Sequence, residues 1–162
     1  MNETLTPIEV LDIAQQIERN GVAFYEKAIE LFDKPTPRVI FHTLAQRELE
    51  HEKIFAEMKE GLIGRGIGAV DETEAGGSLS SKSMAGLAVF GISRNPAEQL
   101  TGKETVAEII RLAIENEKNS VVFYTGLKDF VADEVSERTI AGIMREEMRH
   151  VRMLSESLKQ YE

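Results

Sequence analysis

Glu48-Leu49-Glu50-His51 and Glu147-Met148-Arg149-His150 decide how this chain is read. Each places a histidine three residues after a glutamate. On an α-helix, residues three apart share a face, with roughly 5–6 Å between their Cβ atoms. A carboxylate and an imidazole held in that way can ligate one metal ion, or two adjacent ones. Each pair has an acidic partner upstream at the same interval, Glu18 for the first and Glu117 for the second (48 − 18 = 30 and 147 − 117 = 30). Glu18, Glu48, His51, Glu117, Glu147 and His150 form the candidate metal site.

The flanking sequence places all six on helices. Thr6-Pro7-Ile8-Glu9 combines a capping box with proline at the first helical position. A helical stripe then runs through Leu11, Ala14, Glu18, Gly21, Tyr25, Ala28 and Phe32. An acid on that stripe is costly to bury unless it is paired or bound to a cation. Asp33-Lys34-Pro35-Thr36-Pro37 breaks the helix, with Thr36 expected to cap a second one and Pro37 to begin it. The second stripe is Phe41, Leu44, Glu48, His51 or Glu52, Phe55, Met58 and Leu62, and Gly61 is expected as the terminating glycine. A third helix is expected near Thr105, where Thr105 and Glu108 repeat the capping box; its stripe includes Ile110, Ala113, Glu117, Tyr124 and Leu127. Asp133 is the expected cap of a fourth, with Ile140, Ile143, Glu147, His150 and Leu154 on one face.

The chain repeats itself. A shift of 117 − 18 = 99 residues superimposes the halves without a gap. Thr6 and Glu9 fall on Thr105 and Glu108, Phe24-Tyr25 on Phe123-Tyr124, and the first three candidate ligands on the second three. Glu50 falls instead on Arg149, and Glu52 on Val151. Acids on the apolar stripes recur while their neighbours do not, which separates candidate ligands from solvent-facing acids. Glu50, Glu52, Glu115 and Glu146 are therefore read as solvated, or as supporting the ligands from outside, and His42 as a surface residue. Two hairpins, about 6–60 and 104–160, make one all-α domain over 1–162, a four-helix bundle. Joining them requires a long crossover between helices 2 and 3, residues 61–104. It is rich in glycine and serine, with an apolar run from Met84 to Ile92. A connection of this length suggests a lid, an intersubunit contact or a floppy insert.

Composition narrows the classes. The chain has no cysteine, which excludes disulfides, thiolate-bound zinc and iron–sulfur centres within it. A net charge of −9 argues against nucleic acid as a partner. The start at Met1-Asn2-Glu3-Thr4 lacks a basic region followed by an apolar run, and no stretch approaches a membrane span, so a cytoplasmic location away from membranes is expected.

Four carboxylates in a dry core need compensating charge, and two divalent cations supply about +4. Oxygen-rich ligation with one imidazole per metal suits iron, with manganese or a mixed pair as alternatives. Glu18 and Glu117 are assigned as terminal ligands, Glu48 and Glu147 as bridges, and His51 and His150 as one cap per metal. Two ferrous ions give one electron each, which suits the two-electron reduction of peroxide. Tyr25 and Tyr124, seven residues after Glu18 and Glu117, share their faces; they are weaker candidates, for binding a ligand carboxylate or donating an electron.

Both hairpins resemble the ferritin-like superfamily, on its rubrerythrin and bacterioferritin side. Ala113-Ile114-Glu115-Asn116-Glu117-Lys118 through Phe123-Tyr124 resembles the rubrerythrin third helix in particular. The resemblance implies a non-haem di-iron site that reduces hydrogen peroxide or O₂. Two departures stand out. This chain has no four-cysteine rubredoxin domain, so a separate electron donor is implied. Ser120 stands where rubrerythrins tend to carry a further Glu, which brings the ligand set closer to bacterioferritin. Ferroxidase activity with iron sequestration is therefore the main alternative, followed by a di-metal oxygenase or manganese catalase and a metal-free structural bundle. A homodimer is the expected assembly.

Overall fold

The computed structural model describes residues 6–32, 35–66, 96–131 and 133–162. Among these residues there are four long helices and no strand. They are α1 (Pro7–Glu30), α2 (Pro35–Gly64), α3 (Val106–Leu127) and α4 (Glu134–Leu158). Two short 3₁₀ turns, Pro96–Gln99 and Lys128–Phe130, lie between them. The proposed roles of the run Met84 to Ile92 fall outside the described residues.

The two capping boxes form as the sequence implies. Thr6 Oγ1 accepts from Glu9 N at 3.2 Å, and Thr105 Oγ1 accepts from Glu108 N at 3.3 Å. Each glutamate reaches back to the backbone N–H of its threonine at 2.7 Å. Asp133 caps α4 by accepting from Ser136 N at 2.8 Å.

Both ends of α2 differ from expectation. It begins at Pro35, not Pro37. Both prolines fit the first turn, where backbone N–H groups have no intrahelical acceptor to lose. Its far end passes through Gly61 and stops at Gly64. The left-handed residue is Gly66, at φ +73°. Leu62 packs on the core from the added turn, which offsets the modest cost of a helical glycine.

Packing follows the hairpins. α1 lies chiefly against α2, and α3 against α4. The two hairpins meet so that α1 opposes α3 antiparallel: Tyr25 reaches Glu117 while Tyr124 reaches Glu18. Two apolar clusters close the bundle. One is built from residues such as Phe41, Leu44, Ile110 and Leu154, and the other from Leu11, Phe55, Leu127 and Ile140. Each fully buried side chain of this kind stabilises the fold by about 1.5–3 kcal/mol. The predicted stripes supply much of both clusters, joined by residues off them such as Phe24, Ile109 and Phe123, and the six acids and histidines lie in the layer between them. Leu100, just after the Pro96–Gln99 turn, is buried in the first cluster and ties the end of the crossover to the bundle. No helix among the described residues is long and apolar enough to cross a membrane.

Candidate metal centre

The mid-helix positions of the ligand candidates follow from the stripes. On α1, Glu18 stands between Ala14 and Tyr25; on α2, Glu48 and His51 stand between Leu44 and Phe55; α3 and α4 repeat this. None of the six exposes more than 6% of its surface.

They converge into two overlapping groups, Glu18, Glu48, His51 and Glu147, and Glu48, Glu117, Glu147 and His150. Within each group the donor atoms lie within 4.8 Å of one another. Glu48 and Glu147 belong to both, while Glu18, His51, Glu117 and His150 each belong to one. His51 Nδ1 lies 2.8 Å from Glu147 and 3.7 Å from Glu18. His150 Nδ1 lies 3.0 Å from Glu147, 3.4 Å from Glu117 and 3.7 Å from Glu48. The imidazoles stack with centroids 5.9 Å apart.

Several buried polar atoms here make no hydrogen bond: Glu18 Oε2, Glu48 Oε1, His51 Nδ1 and Glu147 Oε1. The last two are close but off hydrogen-bond geometry. Unsatisfied buried acceptors cost about 1–3 kcal/mol each, more when charged. All four belong to one donor group, and a cation bound there satisfies them together. The donor set fits a dinuclear metal site with hard oxygen and borderline nitrogen ligands.

Electrostatics of the metal-free cluster agree. Burial, then the charges of Glu147 and Glu117, raises Glu48 well above the usual carboxylate range. Burial and Glu147 push Glu117 up to about 8. Burial opposes the charged forms of the histidines, but Glu147 and Glu18 outweigh it and raise His51 to about 11. Glu117 and Glu147 likewise raise His150 to about 9. Burial would raise Glu147 too, but its contacts with Glu117, His150 and His51 hold it below its usual value. The upward shifts keep protons on carboxylates and imidazoles, which offsets the crowding of negative charge.

Both tyrosines are buried and cross-linked to the opposite hairpin. Tyr25 Oη donates to Glu117, and Tyr124 Oη donates to Glu18. Burial, followed by the neighbouring carboxylates, raises both phenols well above their ordinary value, so they act as donors. They also pack as core side chains, Tyr25 stacked on Phe41 and Tyr124 tilted on Phe55.

Two residues matter more than their sequence context suggested. A Cβ on Gly21 would stand 2.9 Å from Glu48 Oε2, so the glycine makes room for that carboxylate. Its place on the α1 stripe was legible; its closeness to α2 was not. Glu146 accepts from His51 Nε2 at 3.1 Å, across the α2–α4 interface. The available signal was that Glu146 directly precedes a candidate ligand. His42 and Glu50 are exposed, while Glu52 is held by Arg19 at 2.8 Å.

A cavity of about 270 Å³ opens between α1 and α3 and reaches Glu48 and Glu117. Ile17, Phe24, Tyr25 and Phe123 form much of its apolar wall, with Asn20 and Asn116 among the polar groups.

No protein-family model and no curated protein matches the chain. Among solved structures it is similar to a crystal structure from Thermotoga maritima, provisionally assigned as a ferritin-like diiron-carboxylate protein, at 22% identity. The superposition covers all of both chains with a TM-score of 0.70. The chain has the ferritin-like fold. The buried Glu/His groups of this fold fit a dinuclear metal site.

Proposed function

We propose that the chain is a cytoplasmic non-haem di-iron oxidoreductase of the rubrerythrin type, reducing hydrogen peroxide, or O₂, with electrons from a separate donor. The observation that carries this reading is the pair of overlapping, buried Glu₃His groups. Glu18 and Glu117 would each hold one ion, Glu48 and Glu147 would be shared, and His51 and His150 would give one imidazole to each metal. Bound iron supplies the electrons for H₂O₂ + 2e⁻ + 2H⁺ → 2H₂O. Tyr25 and Tyr124 hold Glu117 and Glu18 in place from the opposite hairpin and keep their phenolic protons. The apolar clusters above and below exclude water, which strengthens every charge interaction in the layer. The cavity between α1 and α3 gives small molecules access to Glu48 and Glu117. A homodimer that receives electrons from a docked donor completes the reading.

Anaerobic loading with ferrous iron, followed by rapid mixing with H₂O₂ or O₂, tests it. The expected result is fast oxidation by peroxide, slow oxidation by O₂, and a particle of dimer size. Oxidation by O₂ with uptake of many further ions into a very large assembly would replace it with ferroxidase storage. The apolar wall of the cavity favours a second reading, a di-metal oxygenase acting on a small apolar substrate. Oxygen consumption stimulated by such a compound, with hydroxylated product, would select it.

A further inference from the structure

The 99-residue shift carries every ligand candidate onto its twin, and both tyrosine contacts as well. It does not carry over what stands behind the histidines. His51 and His150 both turn Nδ1 toward the carboxylate cluster. Behind His51, Glu146 Oε2 faces Nε2 at 3.1 Å. The twin of Glu146 is Arg47 (146 − 99 = 47), and Arg47 pairs with Glu50 at 2.6 Å instead. Among the described residues, none accepts a hydrogen bond from His150 Nε2.

We propose that this difference makes the two metal positions unequal: the position of Glu18 and His51 binds its ion more tightly and fills first, and Glu146 is the positioning residue responsible. The inference rests on the di-metal reading above. With Nδ1 turned to the metal, a neutral imidazole carries its proton on Nε2. Glu146 accepts that proton's hydrogen bond, fixes the tautomer and ring orientation, and raises the electron density at Nδ1. Outer carboxylates in this arrangement change metal affinity by about 10–100-fold. Arg47 has no acceptor to offer at the related place. The ligands themselves match between the two positions. Glu18 and Glu117 each take one tyrosine hydrogen bond, and Glu48 and Glu147 are common to both. The Glu146 side chain is 39% exposed, so the effect falls toward the lower end of that range.

The test uses the metal-stripped full chain, titrated with Co²⁺ and followed by calorimetry and visible absorption. Two resolved steps are expected, the first tighter by about 10-fold or more. Glu146→Ala should weaken the first step by about 10-fold and merge the two. Arg47→Glu should strengthen the second step and merge them from the other side. Position is read by NMR of the half-loaded protein, labelled with ¹⁵N-histidine; three histidines make assignment simple. The paramagnetic shift should appear on His51 before His150. Two equal steps, first occupancy at His150, or a Glu146→Ala titration like the parent would overturn the inequality while leaving the di-metal site standing. No cobalt binding by the parent would overturn the di-metal reading and this inference with it.

Discussion

The inner faces of the α1–α2 and α3–α4 hairpins carry the same chemistry, and their outer faces do not. Glu18, Glu48, His51 and Tyr25 have twins of identical type at Glu117, Glu147, His150 and Tyr124. Arg47, Glu50 and Glu52 are matched by Glu146, Arg149 and Val151. A buried side chain in the layer has few partners besides its neighbours, so each must complete a shared arrangement. A side chain on the outer face can pair or hydrate in several ways. Glu52 takes Arg19, Glu50 takes Arg47, and Glu146 takes His51. Only the last reaches inward, and through it the outer difference touches the inner equality.

The sharpest break of that equality is between shared and private acids. Glu147→Ala or Glu48→Ala should remove both metals, whereas Glu18→Ala or Glu117→Ala should leave about one per chain. Elemental analysis after dialysis distinguishes these outcomes. Next in size are the two apolar clusters. Phe55→Ala in one and Leu154→Ala in the other should cost about 3–5 and 2–5 kcal/mol in urea unfolding. Both side chains are fully buried and occupy twin positions. A much smaller loss at one would mark a cluster that collapses around the gap.

A pH series sharpens the contrast between the metal-free and metal-loaded layer. The folded-state values of His51 and His150, about 11 and about 9, lie above the unfolded value of roughly 6.5. A raised value means stabilisation that is full below the unfolded pKa and fades as pH climbs through the folded one. Glu117, raised to about 8, acts with the same sign from a lower starting point. The metal-free protein should lose thermal stability as pH rises from about 6.5 through 9. Saturating metal should flatten or reverse the slope, because binding requires deprotonated ligands. A metal-free protein that gains stability over that range would refute this account of the cluster's charge. The smallest effects belong to the two capping boxes. Thr6→Ala and Thr105→Ala should each cost about 1 kcal/mol, and the double variant about their sum.

Much of this was legible in the chain because two periodicities agree. The 3.6-residue stripe put an acid among apolar residues four times, and the 99-residue repeat removed the acids that merely lay nearby. Capping residues fixed the starts of α1, α3 and α4 by local chemistry alone. The far end of α2 escaped because Gly61 faces open space, where a glycine neither breaks the helix nor is required. The room that Gly21 leaves for Glu48, and the reach of Glu146 to His51, depend on distances between helices. No spacing along one helix encodes those.

Whether the polar layer is a dinuclear metal site is decided by counting the metal it holds. Parent protein and Glu147→Ala would be dialysed anaerobically against ferrous iron, and the iron retained per chain measured. About two ions per chain are expected in the parent and close to none in the variant. A parent that retains no iron, or a variant that retains as much as the parent, would contradict it.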